Sequence, residues 1–349
     1  MPRAASQNGA SAEAALKRLQ AIPSLDEVTT GATAKDVVWT RNKTTLCRYR
    51  RETEPTHRVP VVLVYALINR PYILDLRPGN SFVEFLLGEG HDVFLIDWGE
   101  PGWEDRDTTL DELIGEHIPR AVRHVLRVSG ADTYTLLGYC MGGTFATIHA
   151  ALRPAGLRNL IALTTPIDFA DAGALSTWTD PRFLDAELVA SKLGNVPGHL
   201  IDFGNKMLKP VTNFIGAPAL MWERLMEGRD MEPWLAMHKW VNDGVPFPGA
   251  AFVQWIRDFY QQNLLASGTY ELAGERVDLR NITASLLVVT GEADHLVPPH
   301  MSEPLMDLVA SGDRTSRCLR AGHVGLLAGS GAQRGLWPLI SDWLGERSS

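Results

Sequence analysis

Five short apolar runs rich in β-branched residues punctuate the chain: 61–65 (VVLVY), 93–98 (VFLIDW), 134–137 (YTLL), 160–163 (LIAL) and 286–290 (LLVVT). Their hydrophobicity is continuous rather than alternating, as expected of strands covered on both faces of a parallel sheet. The stretches between them carry helical spacing instead. Ser81 with Glu84, and Thr109 with Glu112, match the S/T-x-x-E capping box that opens a helix. After Thr109, apolar residues recur at Leu110, Leu113, Ile114, Ile118, Ala121, Val122, Val125 and Leu126, and Gly130 supplies a stop. Strands alternating with helices predict an α/β fold with right-handed crossovers.

The series breaks after Asp168. Residues 169–284 contain no clear strand, far more chain than the usual connection of about 2 to 6 residues. The expected organisation is a flexible lead-in over 1–36, a core formed by 37–168 and 285–349, and an inserted cap subdomain over 169–284. That insert holds five of the ten tryptophans (Trp178, Trp222, Trp234, Trp240, Trp255) and five of the nine methionines (Met207, Met221, Met226, Met231, Met237). Either these build the insert's own core or some line a channel for an apolar acyl substrate.

Composition narrows the function. With 45% hydrophobic residues the chain can bury a core, and 33 Lys plus Arg against 41 Asp plus Glu leave a net charge of -8. Nothing global draws it to nucleic acid or an anionic membrane. Its longest near-continuous apolar run, 59–68, includes Pro60 and falls short of the roughly 20 residues that span a bilayer. The first residues lack the apolar stretch of a secretory signal, so a cytoplasmic protein is expected. Cys47, Cys140 and Cys318 are too few and scattered for a disulfide framework or a metal cage.

Cys140 stands apart by its surroundings. Gly138-Tyr-Cys140-Met-Gly142 is the nucleophile-elbow pattern Gly-x-Ser-x-Gly with cysteine for serine, set between a strand and a helix. Side chains at Gly138 and Gly142 would collide with chain passing close to the strained turn. The following helix directs its positive end at the sulfur, and the Met141 N–H can stabilise an oxyanion. A thiol needs a base. Such folds supply the partners in the order nucleophile, acid, histidine. Asp294 follows the 286–290 run, and His323 lies in a Gly-flanked loop near the C-terminus. The predicted triad is Cys140, Asp294 and His323, with His295 as possible hydrogen-bonding support. A second oxyanion donor is expected from the backbone of Leu67 or Ile68, after the first strand run.

The motifs YALINRPYILDL (65–76), FLIDWG (94–99), GYCMGGT (138–144), TPIDF (165–169), IDFGNKMLKPVTNF (201–214), VPFPG (245–249), WIRDFYQQN (255–263), ADHLVPP (293–299) and GHVG (322–325) extend the pattern along the chain. Together they resemble the polyhydroxyalkanoate synthases, in the short catalytic-subunit type of the two-component classes III and IV, with the insert closer to class IV. The resemblance implies an α/β-hydrolase fold with a large cap. It implies growth of a polyester from (R)-3-hydroxyacyl-CoA, with 3-hydroxybutyryl-CoA the expected monomer and CoA released. It further implies a separate small helical synthase subunit, a homodimeric catalytic unit and residence on the surface of polyhydroxyalkanoate granules. CoA enters as part of the substrate, and no resident cofactor or metal is expected. By motif match the family's catalytic cysteine, aspartate and histidine fall on Cys140, Asp294 and His323. In the family the aspartate either orients the histidine or activates the acceptor hydroxyl, and residue identity leaves both open. Two other readings remain: a cysteine hydrolase of the dienelactone-hydrolase kind, and a non-catalytic granule scaffold.

Overall fold

A computed structural model describes residues 18–348. The five apolar runs form the middle of an eight-stranded sheet: β1 (Lys35–Arg41), β2 (Thr44–Tyr49), β3 (Val61–Val64), β4 (Val93–Asp97), β5 (Tyr134–Tyr139), β6 (Leu157–Leu163), β7 (Ser285–Gly291) and β8 (Arg314–Leu319). In space they run β1-β2-β4-β3-β5-β6-β7-β8. β2 is antiparallel to both neighbours, and the pairings from β4 to β8 are parallel. Every residue of β3 and β5 is buried, as the unbroken hydrophobicity requires. The chain winds outward from β3 to β4, then returns to β5 on the other side. That reversal opens a crevice at the carboxyl ends of β3 and β5, where α/β sheets bind ligands.

Helices α1 (Phe82–Gly88), α2 (Ile118–Ser129) and α3 (Met141–Ala151) cover the sheet. The Ser81 and Thr109 hydroxyls accept from the N–H groups of Glu84 and Glu112 at 3.0 and 3.1 Å. The glutamates do not complete the reciprocal bond: Glu84 accepts from Gly79 N–H, and Glu112 pairs with the buried His117 at 3.2 Å. The predicted helix from Leu110 contains a π turn, Leu113–His117, just before Pro119. Proline has no N–H to offer the preceding turn, and the widened turn accommodates its ring. Gly130 ends the helix at φ 70°.

Between β6 and β7 the chain forms α4 (Ala174–Trp178), α5 (Ala186–Leu193), α6 (Gly198–Met207), α7 (Ala217–Glu227), α8 (Glu232–Val241) and α9 (Gly249–Gln254). It is stitched to the loop after β3 by an Asn69–Gly244 bridge and by Trp240 Nε1–H, which donates to Arg70 O at 2.8 Å. The insert's tryptophans have no single destination. Trp255 packs edge-on against Phe145 and Phe169 in the main core, whereas Trp178 and Trp222 are exposed. Most exposed large apolar side chains among the described residues lie between Trp178 and Met226. No helix among the described residues is long and apolar enough to cross a membrane.

The flexible lead-in expected over 1–36 is corrected for its described part. Val28 is buried, Ile22 and Leu25 pack on the core, and Thr33 bonds the buried Asp75 through both its N–H and its hydroxyl. These apolar contacts hold residues 22–33 down, and β1 already begins at Lys35. Residues 1–17 lie outside the described residues.

Candidate active site

Cys140 directly follows β5 and caps α3, with φ 55° and ψ -128°. A non-glycine residue held there costs on the order of 1–3 kcal/mol, which the surrounding packing must over-determine. The packing is tight enough to do so. A Cβ on Gly138 would lie 2.3 Å from Gly143 Cα, and one on Gly142 would lie 2.2 Å from Val64 O. Gly143 is equally constrained, since its Cβ would fall 1.8 Å from Thr165 Oγ1. Cys140 N–H donates to Leu163 O at 2.9 Å, pinning the turn to β6. Met141 is the first residue of the fully buried α3, so its N–H belongs to the unsatisfied, electropositive end of that helix.

Asp294 and His323 meet although 29 residues separate them, with 2.7 Å between Asp294 Oδ2 and His323 Nδ1. Asp294 sits in the turn after β7, and its Oδ1 accepts from the N–H groups of Leu296 and Val297, each at 2.9 Å. Its side chain has no exposed surface. His323 opens helix α10 (His323–Ala328), and its carbonyl accepts from the Tyr139 hydroxyl at 3.1 Å. The Tyr139 ring lies 5.2 Å from the imidazole and stacks on Tyr65 at 5.8 Å. With Nδ1 committed to Asp294, Nε2 is the imidazole nitrogen left for chemistry. It is buried without a well-aligned hydrogen bond, and the ring lies beside Cys140 in one cavity. Such contacts are commonly long or misaligned before substrate binds. Burial works against a charged ring, but charge on Cys140 and the hydrogen bond to Asp294 outweigh it and raise His323 to about 10. The imidazole therefore keeps its proton when the neighbouring sulfur is a thiolate.

The cavity measures about 200 Å³. The core contributes Tyr65, Ala66, Ile68, Tyr139 and His295 to its wall, and the insert contributes Asp202, Lys206 and Trp240. Of the two expected oxyanion residues, Ile68 borders the cavity, while Leu67 lines a separate small pocket with Trp98 and His117. His295 borders the cavity too, with its pKa lowered mainly by burial and then by Lys209, but it makes no hydrogen bond to Asp294 or His323. None of the insert's five methionines borders the cavity, and of its five tryptophans Trp240 alone does. Among the described residues, no group of His, Cys, Asp and Glu is arranged to hold a metal ion. Sequence reasoning gave no role to Tyr139 or Asp202, and named Trp240 only among five insert tryptophans without singling it out. Tyr139 was visible as the variable position of the elbow, and Asp202 lies inside the 201–214 motif.

A family model for the alpha/beta hydrolase fold matches residues 59–329. A second, described as poly-beta-hydroxybutyrate polymerase (PhaC) N-terminus, matches residues 27–86. The chain is 41% identical over 325 residues to the poly(3-hydroxyalkanoate) polymerase subunit PhaC of Haloferax mediterranei, covering 93% of this chain and 66% of that one. To the subunit of the same name from Allochromatium vinosum it is 38% identical over 329 residues, covering 92% and 91%. It thus spans slightly less than two thirds of the first relative and nearly all of the second. Among solved structures, a monoacylglycerol lipase of Paleococcus ferrophilus superposes with TM-score 0.54 at 18% identity, over 86% of this chain and 99% of that one, a likeness of fold alone. Identity at that level to PhaC subunits, sustained along more than nine-tenths of the sequence, cannot come from the shared fold alone, and the chain belongs to the PhaC family of poly(3-hydroxyalkanoate) polymerases, acyltransferases on the α/β-hydrolase fold.

Proposed function

We propose that this polymerase builds polyester from (R)-3-hydroxyacyl-CoA, with 3-hydroxybutyryl-CoA its expected monomer, through a covalent acyl-enzyme on Cys140. One observation carries the reading: an imidazole fixed by Asp294 through Nδ1 lies beside a cysteine held at φ 55° on a glycine-walled turn. His323 Nε2 takes the thiol proton, and the thiolate attacks the thioester carbonyl. The oxyanion is met by Met141 N–H and, of the two expected loop donors, by Ile68 N–H, the one whose residue borders the cavity. CoA departs with the proton returned by His323, leaving a thioester on the enzyme. A chain-end hydroxyl gives its proton to His323 and attacks that thioester, and Cys140 leaves as a thiolate, a better leaving group than an alkoxide. No resident cofactor enters the scheme, because thioester exchange and ester formation need neither redox chemistry nor a Lewis acid.

Both oxygens of Asp294 are occupied and its side chain is sealed from solvent. This favours the orienting role over direct activation of the hydroxyl. The expected homodimer, small helical subunit and granule surface remain part of the reading. The exposed apolar side chains between Trp178 and Met226 support association of this kind. The decisive assay is incubation with (R)-3-hydroxybutyryl-CoA, in the presence of the partner subunit, followed by mass spectrometry of the Cys140 peptide and recovery of product. An acyl adduct on Cys140 with insoluble polymer is expected. Free 3-hydroxybutyrate as the main product would instead identify a hydrolase of the dienelactone-hydrolase kind, and absence of turnover a scaffold.

A further inference from the structure

With Asp294 committed on both oxygens, recognition of the substrate's 3-hydroxyl falls to another group. The cavity that holds Cys140 and His323 has one carboxyl side chain in its wall among the described residues, that of Asp202 on α6. Asp202 is only 9% exposed, and it lines the cavity. Nothing among the described residues donates a hydrogen bond to it, and only the more distant charges of Lys206, Asp243 and His199 act on it. Lys206, one turn further along α6, instead gives its ammonium to Asn242 at 2.9 Å. Gly244 makes room for the carboxyl, since a Cβ there would lie 2.6 Å from Oδ2. Burial, reinforced by Asp243 and opposed by Lys206 and His199, raises Asp202 to about 6, so it is ionised at pH 8.

The carboxylate meets water in the open cavity, and once an acyl chain displaces that water, leaving it without a donor is costly. The reaction's own substrate carries a neutral donor near the reacting carbon, the hydroxyl at C3, and a ligand lacking it would leave the carboxylate unpaired. We propose that Asp202 accepts the hydrogen bond of the substrate's 3-hydroxyl and so selects 3-hydroxyacyl thioesters over unsubstituted ones. The proposal rests on the Cys140 acyl-enzyme reading and extends it from chemistry to specificity. It also gives the insert a direct part in substrate choice, because α6 reaches across to the catalytic pair.

The test compares (R)-3-hydroxybutyryl-CoA with butyryl-CoA at pH 8, reading CoA release as kcat/KM in wild type, Asp202→Leu and Asp202→Asn. Leucine keeps the branched outline of the side chain and removes the acceptor. In Asp202→Leu, the preference for the hydroxy substrate over butyryl-CoA, read as the ratio of their kcat/KM values, should fall about 10- to 100-fold, the range expected for a hydrogen bond to a charged group. Asp202→Asn retains a weaker, neutral acceptor and guards against misfolding of the leucine variant. It should lose roughly tenfold of the preference. Equal losses on both substrates, or a preference left intact in the variants, would overturn the proposal. Mass spectrometry of wild-type Cys140 after each thioester separates the two layers: an adduct there sustains the acyl-enzyme reading whatever Asp202 does, and its absence removes that reading first.

Discussion

A thiol at the elbow makes the acyl-enzyme a thioester, and this governs what substitution at Cys140 should do. Cys140→Ala leaves the turn filled but without a nucleophile, so the acyl adduct and CoA release should both vanish while the thermal unfolding midpoint stays within a few degrees. Cys140→Ser restores an oxygen nucleophile whose acyl-enzyme is an ordinary ester, a poorer donor to an alcohol. Asp294→Asn keeps the shape but removes the charge that fixes the His323 tautomer, and should lower kcat by about 10²- to 10⁴-fold with little change in KM. A fall in KM alone would argue against the orienting role. The triad was legible in the sequence because chain order and strand ends constrain it: the elbow follows one apolar run, Asp294 another, and His323 the last loop. Asp202 and Tyr139 were not, nor was Trp240 separable from the other insert tryptophans, because their importance arises from packing. Asp202 reaches the cavity only once the insert folds back over Cys140, and Tyr139 matters through a bond to His323 O, 184 residues away.

Strands β3 to β7 could be read directly because each is covered on both faces, which leaves an uninterrupted apolar signature. β1 and β8 are edge strands with mostly exposed or half-buried residues, and β8 (RTSRCL) has no apolar run to detect. β2, between β1 and β4, mixes Thr and Arg with Leu, Cys and Tyr (TTLCRY), and shows no continuous run either. Polar edges keep a sheet from pairing with another copy, so the same property that hid these strands protects the fold. The elbow places the strictest demand on an element. Gly142→Ala would drive a methyl to 2.2 Å from Val64 O, a backbone atom that cannot swing aside, so loss of soluble protein or destabilisation above about 3 kcal/mol is expected. Gly204→Ala is the control within α6: nothing lies within 4 Å of the added carbon, and a helical interior gains about 0.5–1 kcal/mol from the exchange. Chemical denaturation of both variants checks the contrast. The insert's wall can be tested as an element too. Trp240→Gln replaces an apolar flank of the cavity with a polar one, and hydrolysis of the acyl-enzyme to free acid should rise relative to polymer. Unchanged partition would show that water is excluded elsewhere.

The whole molecule carries buried histidines that the mechanism does not use, and they set how it responds to acid. His149, inside α3, reaches only the Tyr134 hydroxyl at 3.3 Å, and burial lowers it from 6.5 to about 4. His91, packed between His57 at a ring distance of 4.2 Å and Ser341 on helix α11 (Leu336–Gly345), is lowered to about 4 by burial and by the charge of His57. In both cases the unfolded chain binds a proton below 6.5, whereas the folded chain refuses it until about pH 4. The unfolded state therefore holds more protons throughout that window, and stability must fall as pH drops from about 6.5 to 4, then level off. For the fully buried His149 the acid loss is about 3 kcal/mol at most. Acidic side chains titrate over part of the same range, so the measurement is a difference. Urea unfolding of wild type and His149→Gln at intervals from pH 7 to 4 should give curves that converge as pH falls, because glutamine has no proton to refuse. Parallel curves would mean that His149 takes up its proton inside the folded core, with a polar environment that burial and the Tyr134 contact do not supply.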